Sequence, residues 1–240
     1  MKTILRGLAD VLFPPACVVC GEILDEDLPF SFCRDCFSGI RFIDPPLCPG
    51  CGMPYAAGSA SDHPCGDCLS RKQHFTAARS LGVYENALLK AIQRFKYQGS
   101  LHVGEALGSL MASHLYPAFD RTEYDVIMPV PLHVNRLRER GFNQSLLLAR
   151  AIARTSPAEL DFTTLRRAVG TASQTGLKKE DRAKNVRGAF ELADGSRVKG
   201  KKVLVIDDVY TTGSTVRECA RVLMKGGAGS VGVLTLARAL

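Results

Sequence analysis

Between residues 86 and 97, NALLKAIQRFKY, apolar Leu88, Leu89, Ile92 and Phe95 recur at three- and four-residue spacing behind Asn86, which predicts a capped amphipathic helix. The same period predicts a second helix over about 102–116, striped by Leu107, Leu110, Met111 and Leu115 and stopped by Pro117, and a third over 143–155. Short apolar runs of the other kind, DVIMPVPLH (125–133), TTLRRAV (163–169), GAFEL (188–192), KKVLVID (201–207) and SVGVLTLA (230–237), read as strands. Strands interleaved with helices predict a mainly parallel α/β sheet. The N-terminal stretch MKTILRGLADVLFPP places Ile4, Leu8, Val11 and Leu12 on one face of a short docking helix, and Arg6 and Asp10 interrupt any secretory core. No apolar run reaches the roughly eighteen residues of a membrane span, so a cytoplasmic chain is expected.

Before about residue 70 the pattern is governed by cysteine instead. Eight of the nine cysteines form four C-x2-C pairs, Cys17/Cys20, Cys33/Cys36, Cys48/Cys51 and Cys65/Cys68. Without a secretory signal disulfides are disfavoured, and a redox C-x2-C would not repeat four times outside a βαβ context. Two closed, structural four-thiolate zinc sites fit the spacing, with Gly21, Gly50, Gly52 and Gly66 beside the ligands in tight knuckle turns. Spacing leaves the pairing open between sequential couples and a crossed arrangement. His63 has no ligand position to fill, and Cys219 reads as a small core residue. The boundary is placed at 70–76, giving an N-terminal helix and double zinc ribbon over 1–72 and an α/β domain over 73–240.

Charge follows that division. Of the net +7, residues 1–72 carry −3 and residues 73–240 carry +10, with eleven Lys/Arg against four Asp/Glu over 166–202. Such a body attracts polyanions, whether pyrophosphate or a nucleic-acid backbone. The polar, cationic segment 170–186 reads as a mobile loop, and Arg136, Arg138 and Arg140 as a second cationic string on an exposed loop. Aromatic content of 7% with no Trp argues against a base-stacking platform, so DNA binding would be led by the backbone phosphates.

The most specific chemistry lies in VLVIDDVYTTGSTV, 203–216. A buried strand ends in Asp207 and Asp208, and the turn Thr211-Thr212-Gly213-Ser214-Thr215 opens a helix striped by Val216, Ala220, Leu223 and Met224. Free N–H groups and hydroxyls at a helix N-terminus take a phosphate. Adjacent carboxylates suit the hydroxyl pair of a ribose or a bridging divalent cation. A sugar phosphate meets both requirements.

This stretch resembles the phosphoribosyl pyrophosphate (PRPP) motif of type I phosphoribosyltransferases. The resemblance implies that Asp207 and Asp208 contact the ribose hydroxyls while Thr211, Thr212, Gly213, Ser214 and Thr215 hold the 5-phosphate, with magnesium accompanying PRPP. With the cysteine-rich head, FKYQG (95–99), VPLH followed by RGFNQS (130–145) and QTGLKKEDRAKNVRGAF (174–190), the whole chain resembles the ComF family. That likeness implies a double zinc ribbon fused to a type I phosphoribosyltransferase-like parallel sheet with flanking helices, acting in competence-associated DNA uptake and the handling of single-stranded DNA. It makes Pro129–His133 the pyrophosphate loop. It makes Lys178, Lys179, Arg182 and Lys184, unranked, the catalytic candidates of a loop closing over PRPP. DNA-uptake or helicase-type proteins are the implied partners of the ribbon, and an acidic head beside a basic body allows an intramolecular contact. No acceptor-recognition hood can be named, so turnover stays open; the alternative is a metabolic phosphoribosyltransferase with no DNA role. Asn143 is read as a helix cap with Phe142 packed beside it, Gln144 is left open, and Lys96 is read at least as readily as a helix-dipole partner as a cleft residue.

Overall fold

The computed structural model describes residues 14–24, 29–56, 61–97, 100–169 and 186–240. The expected N-terminal amphipathic helix and the loop candidates Lys178, Lys179, Arg182 and Lys184 lie outside the described residues. A five-stranded parallel sheet forms the centre, in the order β1 (Ala77–Val83), β7 (Ser230–Arg238), β6 (Lys202–Tyr210), β2 (Val126–Pro129), β3 (Glu159–Leu160). Strand β6 alternates its apolar residues between two cores, because successive side chains point to opposite faces of a pleated strand. Leu204 and Ile206 join one core with Leu81, Ile127 and Leu234; Val203 and Val205 join the other with Val126, Met128 and Val233. Burial on both faces explains the continuous apolar run that marks this strand in the sequence.

Helices α3 (Asn86–Tyr97), α4 (Leu101–Ser113) and α6 (Gln144–Ala153) cover the first face through Leu88, Ile92, Phe95, Leu107, Met111, Leu148 and Ile152; α7 (Ser214–Lys225) covers the second through Val216, Cys219, Ala220 and Leu223. Short α1 (Arg34–Ser38) and α2 (Gly66–Ser70) follow ligand cysteines in the head, and α5 (Val134–Arg140) lies between β2 and α6.

Several boundaries depart from the sequence reading. Strand β1 was not expected: the sequence reading places no element between the 70–76 boundary and the helix at Asn86. The 102–116 helix ends at Ser113, so Leu115 is 86% exposed rather than part of the stripe. Strand β6 runs three residues past Asp207, so the two acids lie within paired strand. Met224 faces outward, and Val222 is buried in its place. The runs at 163–169 and 188–192 contribute β4 (Leu165–Arg167) and β5 (Phe190–Leu192), which pair antiparallel in a separate two-stranded sheet. The string Arg136, Arg138, Arg140 is helical, not a loop, because His133 Nδ1 accepts from the Asn135 N–H and so serves as N-cap of α5.

The cysteine head packs against the β1 edge on both faces of the sheet. Cys17, Val18, Leu24 and Phe32 enter the first core, and Cys48, Cys51 and Phe75 the second. Between them the head supplies main-chain partners to the edge strand: Ala78 N donates to Gly50 O at 2.7 Å, Val83 N to Arg41 O at 2.8 Å, and Ile43 N to Leu81 O at 3.0 Å. The approach is close enough to demand glycine. Gly52 has φ +68°, and a Cβ on it would meet the Ala78 carbonyl oxygen at 2.5 Å. Gly52→Ala is therefore expected to destabilise the full chain by about 1–3 kcal/mol, measured by urea denaturation; an unchanged midpoint and slope would show that the junction tolerates a side chain.

Candidate functional site

The C-terminal ends of β6 and β2 bring the motif elements to one edge. Their register sets Pro129 opposite Ile206, and Val130 N donates to Ile206 O at 2.9 Å, so the 130–133 loop leaves the sheet beside Asp207. Asn143 caps α6 by accepting from Ser145 N at 3.0 Å, and its amide donates to Val130 O at 3.1 Å, tying the loop to the helix. Phe142 packs its ring 5.5 Å from that of Phe95. Gln144 is buried and accepts from Arg140 Nη1 at 3.0 Å.

Asp207 Oδ1 accepts from Ser145 Oγ at 2.9 Å and from the Asp208 N–H at 2.9 Å. Burial, reinforced by the charge of Asp208, pushes its carboxyl up to about 7. Asp208 instead meets Lys96, with Nζ 2.8 Å from Oδ2 and both side chains largely shielded from water. Burial alone would lower Lys96, but Asp208 outweighs it and raises the ammonium pKa. Lys96 thus pairs with an acid of the motif, and its place in the last turn of α3 also suits the helix dipole. Beyond the acids, Gly213 adopts φ +71° as N-cap of α7, where a Cβ would strike the Tyr210 ring. Thr212 Oγ1 and Ser214 Oγ lie 2.8 Å apart across the turn. The arrangement offers acceptor carboxylates, a cation held against one of them, and a ring of hydroxyls and N–H groups at a helix start.

Ser145, Arg217 and Arg238 were not singled out from the sequence. Ser145 had a usable signal, since it follows the Asn143 cap by two residues, but its partner lies 62 positions away. Of the cationic stretch 166–202, several described members are already paired: Arg197 reaches Glu159 at 2.8 Å and Asp161 at 3.1 Å, Lys201 lies 3.8 Å from Glu159, and Lys202 lies 3.8 Å from Glu123. Arg197 is thus held between two acids, while Lys201 and Lys202 lie beside acids on the exposed surface.

The cysteines gather sequentially. Cys17, Cys20, Cys33 and Cys36 form one cluster and Cys48, Cys51, Cys65 and Cys68 another, the ligand atoms of each within 4.8 Å of one another; the crossed arrangement is set aside. Tetrahedral zinc with sulfur at about 2.3 Å requires sulfurs about 3.8 Å apart. Cys20 and Cys33 lie at 3.8 Å and Cys51 and Cys65 at 3.5 Å. Backbone N–H groups of Val19 and Cys65 point at Cys17 Sγ (3.5 Å) and Cys48 Sγ (3.3 Å), a donor pattern that stabilises thiolates. The donor set fits two closed structural zinc sites. Among the described residues no helix is long and apolar enough to cross a membrane.

Residues 8–69 match the double zinc ribbon domain and residues 143–240 the phosphoribosyl transferase domain, which defines the class as a zinc-ribbon protein with a phosphoribosyltransferase fold. Similar proteins include DNA utilization protein YhgH of Escherichia coli K12 (34% identity, 88% of this chain and 92% of that protein), Competence protein F of Haemophilus influenzae (32%, 88% and 98%) and Competence protein ComFC of Bacillus subtilis (29%, 92% and 94%). This chain belongs to the ComF family.

The raised Asp207 carboxyl has a sign that can be read. A folded pKa above the unfolded value of about 3.9 means that folding favours the protonated acid. Its contribution is complete below the unfolded pKa and is lost as pH climbs through about 7. Asp207→Asn is expected to lose less stability than the parent between about pH 4 and about pH 7 in chemical denaturation. Parallel pH profiles for the two would contradict the assignment.

Proposed function

We propose that this chain binds PRPP with magnesium at the β6 edge and works with that ligand in handling single-stranded DNA inside the cell. The observation that carries the reading is the convergence of Asp207 and Asp208 with the turn 211–215 at one edge, beside the loop 130–133. In this reading the carboxylates of Asp207 and Asp208 accept from the two ribose hydroxyls, with Ser145 orienting the first and Lys96 holding the second. The N–H groups and hydroxyls of Thr211, Thr212, Gly213, Ser214 and Thr215 take the 5-phosphate at the start of α7. Magnesium supplies charge neutralisation for the pyrophosphate, which the loop 130–133 would face.

The DNA half of the proposal is supported by the relatives named for DNA utilization and competence and by the basic excess of residues 73–240. An exposed Tyr97 beneath Arg140, 5.9 Å from guanidinium carbon to ring centroid, adds a cationic and aromatic surface near the pocket. The zinc ribbon is the surface assigned to partners of the uptake or helicase type. Transfer of ribose 5-phosphate to an amine or nucleobase remains the competing activity, and pyrophosphate release with candidate acceptors distinguishes it.

Calorimetry with PRPP and magnesium is expected to show binding that falls about ten- to a hundred-fold or more in Asp207→Ala/Asp208→Ala. Unchanged affinity would remove the reading. Single-stranded DNA affinity is expected to fall as salt rises, with a logarithmic slope of roughly 0.7 per phosphate contacted; a flat response would end the DNA half while leaving the ligand site standing.

A further inference from the structure

The start of the phosphate loop, at Tyr210 and Thr212, is held by two arginines that also contact the second cysteine cluster or the residues beside it. Tyr210, which leads into the loop, lies under the Arg238 guanidinium at 4.3 Å from the ring centroid. Arg238, only 5% exposed, also donates to the Cys51 carbonyl at 2.7 Å and to Cys51 Sγ at 3.6 Å. Arg217 of α7 donates to the Thr212 carbonyl inside the loop. The same guanidinium reaches Asp67 Oδ2 at 2.8 Å and Gln73 Oε1 at 3.3 Å. Asp67 sits on α2 between the ligands Cys65 and Cys68.

A planar guanidinium with several fixed donors transmits position between its acceptors, because moving one acceptor breaks the fork. The Arg217 side chain is 12% exposed and that of Asp67 32%, so their ion pair is partly shielded from solvent. Four thiolates around a dication carry net charge −2, which the buried Arg238 faces through Cys51. At the first cluster the arginine contact is of another kind: Arg94 of α3 donates to the carbonyls of Cys17 and Val18.

We propose that the second cysteine cluster is a built-in support of the phosphate loop, and that Arg217 and Arg238 are positioning residues which link metal retention there to phosphate binding at 211–215. The proposal deepens the sugar-phosphate reading of this loop and rests on it. By thermodynamic reciprocity, a ligand that prefers the ordered loop raises metal affinity by the factor by which metal raises ligand affinity.

The test uses the full, zinc-loaded chain with ribose 5-phosphate as probe. Competition against a chelator at equilibrium is expected to show that saturating ribose 5-phosphate raises the apparent zinc affinity of one site about five-fold or more, leaving the other unchanged. Asp67→Asn and Arg217→Gln should each weaken ribose 5-phosphate and abolish that shift, and the double variant should be no worse than either single one. In ligand-free protein, amide exchange at 211–215 should quicken in Asp67→Asn while the central residues of β6 stay protected. Binding of ribose 5-phosphate without any shift in zinc affinity overturns the linkage and spares the pocket. No binding to the parent protein overturns the pocket, and unchanged exchange at 211–215 in Asp67→Asn overturns the support on its own.

Discussion

A parallel sheet ends in a strand with unpaired N–H and C=O groups, and everything about this chain's head follows from how that edge is closed. Strand β1 could not carry the site's scaffold while offering a bare backbone row to other chains. Gly50, Arg41 and Ile43 supply its missing hydrogen-bond partners from the cysteine head. The head can do so only by running along the edge, which sets its first cluster against one face of the sheet and its second against the other.

From that closure the site inherits its rigidity. Strand β6 is buried on both faces and hydrogen-bonded on both sides, so Asp207 and Asp208 are carried by a strand held by neighbours all round. Their different surroundings separate their chemistry: a hydroxyl and a backbone amide reach one, an ammonium the other. Two adjacent, chemically identical residues are thereby held by different partners.

The sequence was most legible where chemistry repeats at short spacing. Four C-x2-C pairs announced two cysteine clusters with metal-site geometry, and the apolar strand, acidic pair and hydroxyl-rich turn announced the edge where the candidate site lies. It was least legible where a local pattern is satisfied by a distant partner. Strand β1 contains Arg79 and Ser80, which look like surface residues; Arg79 is buried because it reaches the carbonyls of Pro49 and Pro117 at 3.0 Å each, and Ser80 because its hydroxyl meets Thr235 at 2.7 Å. Lys96 sat at a helix end that suited its charge, and only the fold reveals the acid opposite. Helix α5 begins with a histidine as its cap, an unusual choice that local rules pass over.

The close approach at Gly52 bears on how such a chain can be rearranged over time. A zinc ribbon joined end to end with a catalytic-type sheet would be an exchangeable bead, free to be lost or replaced without disturbing its neighbour. Here the ribbon's backbone completes the sheet, and a side-chain-free position is needed to let the two surfaces meet. A replacement ribbon would have to bring both the carbonyls and the missing side chain to the same places, so the two halves are inherited as one object even though their sequences read as two.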